Sequence, residues 1–151
     1  RESGEWRHHY ATVGQYMQTE LFTVRQDELI DLAASIMDWE QIRHIPVEDD
    51  EHRLVGLVSY RALLRLVADP VKRKSDSIAV EDIMEKAPLS VLPTTPTMEA
   101  ISLMKANRAS CLPVVQADGK LVGIVTEHDY MRIAGKLLED QLKGGNDTTR
   151  D

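Results

Sequence analysis

Gly123, Thr126 and Asp129 stand in the run Gly123-Ile124-Val125-Thr126-Glu127-His128-Asp129. An apolar, β-branched stretch ends at Thr126 and a helical pattern follows. Thr126 therefore sits at a strand-to-helix junction, with Asp129 one helical turn later on the same side. Glycine on the strand lets a ligand or another backbone come close. A hydroxyl and a carboxylate so placed can hold the two hydroxyls of a ribose, since a carboxylate accepts from both. Backbone N–H groups at the helix start favour nearby anions. The same Thr126-x-x-Asp129 spacing also reads as a capping box, with Thr126 as the N-cap. The two readings are compatible, because a cap fixes the geometry that a ligand would use.

The rest of the chain offers little chemistry of its own. Cys111 precedes Leu112-Pro113-Val114 and reads as a small buried strand residue, not a nucleophile. No Ser/His/Asp nucleophile context and no glycine-rich phosphate loop occurs. The acidic run Glu48 to His52 reads as a solvated turn rather than a metal chelate. His8-His9 matches no structural zinc spacing. Met17, Met37, Met84, Met98, Met104 and Met131 fall mostly on apolar faces and read as core or opening-turn residues. These features predict no metal, no catalytic cofactor and no enzyme activity.

Charge narrows the partners. Lys plus Arg is 18 against 25 Asp plus Glu, a net of −7. The excess acid is even, 10 − 13 = −3 up to Ser75 and 8 − 12 = −4 beyond it. A surface of that sign disfavours duplex nucleic acid and anionic lipid. No run approaches the roughly 20 apolar residues of a membrane span. No apolar segment of a secretion signal opens the chain. A lone Cys111 fits a reducing, cytoplasmic compartment. The start at Arg1 reads as a fragment or a processed chain.

The elements that must hold Thr126 and Asp129 come from a repeat. At an offset of 67, residues 13–68 align without a gap on residues 80–135, with thirteen of 56 positions identical. Val13-x-x-x-Met17 falls on Val80-x-x-x-Met84. Ile45-Pro46-Val47 falls on Leu112-Pro113-Val114. Leu54-Val55-Gly56-Leu57-Val58-Ser59 falls on Leu121-Val122-Gly123-Ile124-Val125-Thr126. Each repeat predicts a short strand (Thr23-Val24; Ser90-Val91), then an amphipathic helix bearing Leu29, Leu32, Ala33, Ile36 and Met37, or Met98, Ile101 and Met104. Two strands follow, joined by a polar hairpin, with an Asp118-Gly119 turn in the second repeat. A closing helix comes last, Tyr60 to Ala68 or Glu127 to about Gln141. The order is β-α-β-β-α, twice. A unit of this size makes a marginal core alone, so two would gain by packing their sheets together. Residues 1–12 read as a lead-in, 69–79 as a linker with a solvated basic triplet, and 136–151 as a helix end running into a frayed tail from Gly144.

This doubled unit resembles the cystathionine-β-synthase (CBS) domain, and the pair resembles a tandem CBS, or Bateman, module. The resemblance covers 13–68 and 80–135 and rests on the Pro-Val strand and on the segment G-h-x-[ST]-x-x-[DN]. Gly123 to Asp129 fits that segment fully, and Gly56 to Ala62 fits it except that Ala62 replaces the acid. The resemblance implies an α/β fold of two repeats packed with pseudo-twofold symmetry through their sheets. It implies a regulatory, non-catalytic module that binds an adenine nucleotide (AMP, ADP or ATP) in the cleft between repeats. Ligand binding would pass a change through residues 1–12 to an attached or partner protein. Carried over position by position, the site would join Thr126, Asp129, His128 and Gly123 to Thr23, Ile42, Arg43 and His44, with Arg43, His44 and His128 set for phosphate. The mirror site would use Ser59, Ala62, Ser90, Ala109, Ser110 and Cys111. It lacks the acid and the cations, so one competent and one degenerate site are expected. S-adenosylmethionine competes for the same ribose grip, and a homodimerisation module without nucleotide is the other alternative. Homodimers through the helices are implied in either case. The run Glu5-Trp6-Arg7-His8-His9-Tyr10 resembles the lead-in of CBS pairs fused behind a carboxylate–amine ligase.

Overall fold

The computed structural model of the chain describes residues 9–73 and 77–150. Helix α1 (Ile30–Glu40) buries Ala33 and Met37 and ends on Gln41 in the left-handed region, φ 55°. Strands β1 (His44–Glu48) and β2 (Leu54–Ser59) form an antiparallel hairpin in the register His44 with Ser59 and Pro46 with Leu57. Helix α2 (Tyr60–Ala68) follows, and the short α3 (Pro70–Arg73) lies in the linker. A 3-10 turn at Val80–Asp82 leads to β3 (Glu85–Lys86). The second repeat supplies α4 (Thr97–Asn107), β4 (Cys111–Val115), β5 (Leu121–Thr126) and α5 (Glu127–Arg150). The α-β-β-α part of the expected order is thus present in both repeats. Of the expected first strands, each survives as a single parallel bridge, Val24 with Val47 and Val91 with Val114. Helix α5 runs past Gly144-Gly145, where the composition predicts a tail. Two glycines cost about 1 kcal/mol each in a helix interior, too little to stop a helix already several turns long.

The hairpin turns use polar side chains to satisfy backbone groups. Asp49 accepts from the backbone N–H groups of Glu51 and Arg53, both at 2.9 Å. The Arg53 amide, above all, holds the Asp49 carboxyl below its usual range. Asp118 accepts from Lys120 N–H at 3.0 Å, and Gly119 takes the positive φ of 88° that its turn requires. The acidic run 48–52 is therefore a solvated turn, and no cluster fit for a metal occurs among the described residues.

The chain divides into two compact units that do not follow the repeat boundaries. One gathers Glu20–Ser90 with Val115–Val122. Its core is Val24, Ala33, Met37, Ile45, Val47, Val58 and Val80. The other gathers the described residues up to Thr19 with Val91–Val114 and those from Gly123 onward. It buries Val13, Val91, Ala100, Met104, Leu112, Val114, Val125 and Ile133. Each unit takes its opening turn from the other repeat. Gln18 bridges to Ile124 in one, and β3 pairs with β2 in the other. The glycines of the repeated motif explain that exchange. A Cβ on Gly56 would lie 2.4 Å from the sulfur of Met84, and one on Gly123 would lie 2.5 Å from the sulfur of Met17. The identical Met17 and Met84 thus lock onto the identical Gly123 and Gly56.

Candidate functional site

Thr126 ends β5 and Asp129 lies in the first turn of α5. Their hydrogen bonds are reciprocal. Asp129 Oδ2 accepts from Thr126 N–H at 2.9 Å and from the Thr126 hydroxyl at 3.2 Å, while Asp129 N–H donates to Thr126 Oγ1 at 3.4 Å. The capping box read from the spacing is therefore made. It does not consume the carboxylate. Gln18 Nε2 donates to both oxygens, at 2.9 Å to Oδ1 and 2.8 Å to Oδ2. Arg132, one turn further along α5, places a guanidinium nitrogen 3.4 Å from Oδ1. Asp129 is 0% exposed, although it sits at a helix start. A buried carboxylate is tolerated only when it is this fully partnered. Oδ1 and Oδ2 thus form an anionic acceptor pair engaged by a single amide nitrogen, and a pair of acceptors is what a vicinal diol requires.

The approach to Gly123 is made by the chain itself. Met17 Sδ and the carbonyl of Gln18, 3.1 Å from an added Cβ, occupy the side that the motif leaves open. Close packing of the chain on itself accounts for this glycine. Beneath lies a polar aromatic layer. The hydroxyl of Tyr16 is 2.9 Å from that of Thr97 and 2.8 Å from that of Tyr130, and the two rings meet edge to face. Thr97 in turn donates to the carbonyl of Tyr10. Burial pushes the ionisation of both Tyr16 and Tyr130 upward. His128, next to Asp129, is exposed.

The residues expected from the first repeat lie in the other unit. Thr23 donates its hydroxyl to Glu48 Oε1 at 3.1 Å. Ile42 packs on the core of that unit. Arg43 is exposed, with its guanidinium 5.2 Å from the centre of the Tyr60 ring, a cation–π contact. His44 begins β1 and is half-buried. In the mirror motif, Ser59 Oγ accepts from Ala62 N–H at 3.2 Å, a simple N-cap with no acid. Ser90 and Ser110 are half-buried, and the Ser110 carbonyl accepts from Glu127 N–H at 2.9 Å. Cys111 is buried, 4% exposed.

Gln18, Arg132, Tyr16 and Thr97 are absent from the residues picked out by sequence. A signal existed for two of them. Gln18 follows a methionine repeated in both halves, and Arg132 is one of the thirteen repeated identities, at Arg65 in the first half.

The CBS domain family matches residues 13–69 and again 80–136. A CBS domain-containing protein of Dictyostelium discoideum is 29% identical over 135 residues, covering 84% of this chain and 93% of that protein. The crystal structure of CBSX2 of Arabidopsis thaliana in complex with AMP is 32% identical with a TM-score of 0.75, over 84% of this chain and 98% of the other. A CBS domain pair in complex with 5′-methylthioadenosine and S-adenosyl-L-methionine is 26% identical with a TM-score of 0.75, over 83% and 96%. Some relatives are longer. The chain spans 21% of an inosine-5′-monophosphate dehydrogenase of Methanocaldococcus jannaschii and 25% of a homoserine O-acetyltransferase of Methanococcoides burtonii. None of these is a carboxylate–amine ligase, so the kinship expected from Glu5 to Tyr10 finds no support; residues 5–8 also lie outside the described ones.

Proposed function

The chain belongs to the CBS-domain family, and we propose that it is a non-catalytic regulatory module that binds an adenine nucleotide through the ribose. The observation that carries this reading is the buried Asp129 carboxylate, pinned by Thr126, with both its oxygens accepting from the Gln18 amide. The AMP complex of CBSX2 and the S-adenosyl-L-methionine complex of another CBS pair support an adenosine-bearing ligand. We assign a phosphate contact to His128, in the first turn of α5 beside Asp129. The helix start that carries His128 favours the phosphate of AMP, ADP or ATP over the sulfonium of S-adenosylmethionine. Binding shifts the balance between two states of the module by no more than its differential affinity for them. The readout passes to an attached or partner protein.

Titration calorimetry with AMP and 2′-deoxy-AMP tests the ribose grip. AMP should bind, and removal of one hydroxyl should weaken binding by about 1–3 kcal/mol, the range for a hydrogen bond to a charged group. Asp129→Asn should weaken AMP by a similar amount while removing the preference for the diol. Equal affinity for the two nucleotides would take Asp129 out of the site. No binding of any nucleotide or of S-adenosylmethionine would favour a pure association module, the reading that the exposed Leu64, Met131 and Leu142 support.

A further inference from the structure

We propose that Gln18 is an internal competitor for the ligand, its amide standing on Asp129 where the two ribose hydroxyls would bind. The proposal rests on the ribose reading above and adds a residue that tunes it. Gln18 Nε2 lies 2.9 and 2.8 Å from the two carboxylate oxygens, so one nitrogen spans both acceptors. A carboxylate offers about four lone-pair sites, and Thr126, Arg132 and Gln18 already crowd them, so a diol gains acceptors only as the amide leaves. Thr126 and Arg132 approach the carboxylate as well, but Thr126 belongs to the cap that holds Asp129 in place. Gln18 alone among the three comes from outside β5 and α5.

Burial separates the two partners. Asp129 is 0% exposed, whereas Gln18 is an exposed residue. The exposed side chain covers the buried one. The Gln18 backbone is fixed, since it donates to the Ile124 carbonyl at 2.9 Å and accepts from Ile124 N–H at 3.0 Å. Release of the amide therefore needs only side-chain rotation, with no main-chain rearrangement. The other repeat gives an internal comparison. At the positions of Gln18 and Asp129 it carries Glu85 and Ala62. Where the covering residue is an acid, the helix residue is not, as expected if the two positions face one another and like charges are avoided.

A covered binding group lowers the apparent affinity by the fraction of molecules in which it is covered. A hydrogen bond to a charged acceptor biases that fraction strongly, so Gln18→Ala should tighten AMP binding about tenfold. Calorimetry with AMP on the wild type, Gln18→Ala, Asp129→Asn and the double variant reads this out. Gln18→Ala should tighten binding in the wild-type background and have no such effect beside Asp129→Asn. In parallel, the side-chain amide resonance of Gln18 should shift on saturation with AMP as the amide leaves the carboxylate. Wild-type binding with an unchanged or weaker Gln18→Ala, or an amide resonance unmoved by AMP, would overturn the proposal and leave the ribose reading standing. Absence of AMP binding to both wild type and Gln18→Ala would overturn the two together.

Discussion

The sulfur of Met17 and the missing side chain of Gly123 make one contact, and the distance decides what a mutation does. An added Cβ at 2.5 Å from Met17 Sδ and 3.1 Å from the Gln18 carbonyl cannot be accommodated without movement. The sulfur sits at the end of a flexible side chain, but the carbonyl is held in the pairing with Ile124. Gly123→Ala should therefore destabilise the protein by about 1–3 kcal/mol, the usual cost of overpacking. Met17→Ala in the same chain should return part of that loss, because it removes the nearer of the two obstacles. Denaturant unfolding of the two singles and the double measures the coupling; simple additivity would show that the contact does not govern the site. The glycine was legible in the sequence as a place of close approach. Its partner was not, because Met17 is more than a hundred residues away, and only the repeated methionine pointed to it.

Tertiary contacts of the opening turn decide behaviour at the scale of elements. Tyr16 joins α4 through Thr97 and α5 through Tyr130, so one hydroxyl ties three segments. Burial resists ionisation of both rings, which raises their folded pKa above the ordinary tyrosine value of 10.0. A group raised in this way contributes its full stability below that value and loses it as the pH climbs. The protein should lose stability as pH rises above 10, and Tyr16→Phe should lessen that alkaline loss, though it also removes hydrogen bonds at neutral pH. Tyrosinate absorbance followed against circular dichroism tests it. Tyr16 and Tyr130 should ionise together with unfolding, and ionisation that ran ahead of unfolding would contradict the burial argument. The helices and hairpins themselves were legible, since periodicity, the Asp118-Gly119 turn and the Thr126 cap are local signals. The exchange of opening turns between repeats was not, because a repeat read along the chain says nothing about which partner its first turn chooses. The length of α5 was misjudged because Gly144-Gly145 reads as a stop, although two glycines are a small cost against an established helix.

At the scale of the whole molecule, the two repeats each match the same family domain yet differ at the positions expected to bind the ligand. The shared part includes the exposed apolar residues at one helix position, Leu64 on α2 and Met131 on α5, which are 67 residues apart and 60% and 72% exposed. Their recurrence at matched exposed positions motivates the expectation that the chain associates with itself through its helices. Sedimentation should accordingly give a dimer of the 17.0 kDa chain, and Leu64→Asp with Met131→Asp together should give a monomer. A wild-type monomer at high concentration would refute this. The unequal part is the acid. Asp129 has no counterpart at Ala62, Arg43 stands opposite Ser110, and His44 opposite Cys111 in the alignment of the two halves. The net charge of −7 adds a general repulsion of anions, although Arg61, the counterpart of His128, gives the first motif a cation of its own. Calorimetric stoichiometry should nevertheless approach one nucleotide per chain, because Ala62 leaves the first motif without the acid that would hold a ribose. Two equal sites in the wild type would show that the sugar grip and the phosphate contacts both lie elsewhere than in the residues that distinguish the repeats.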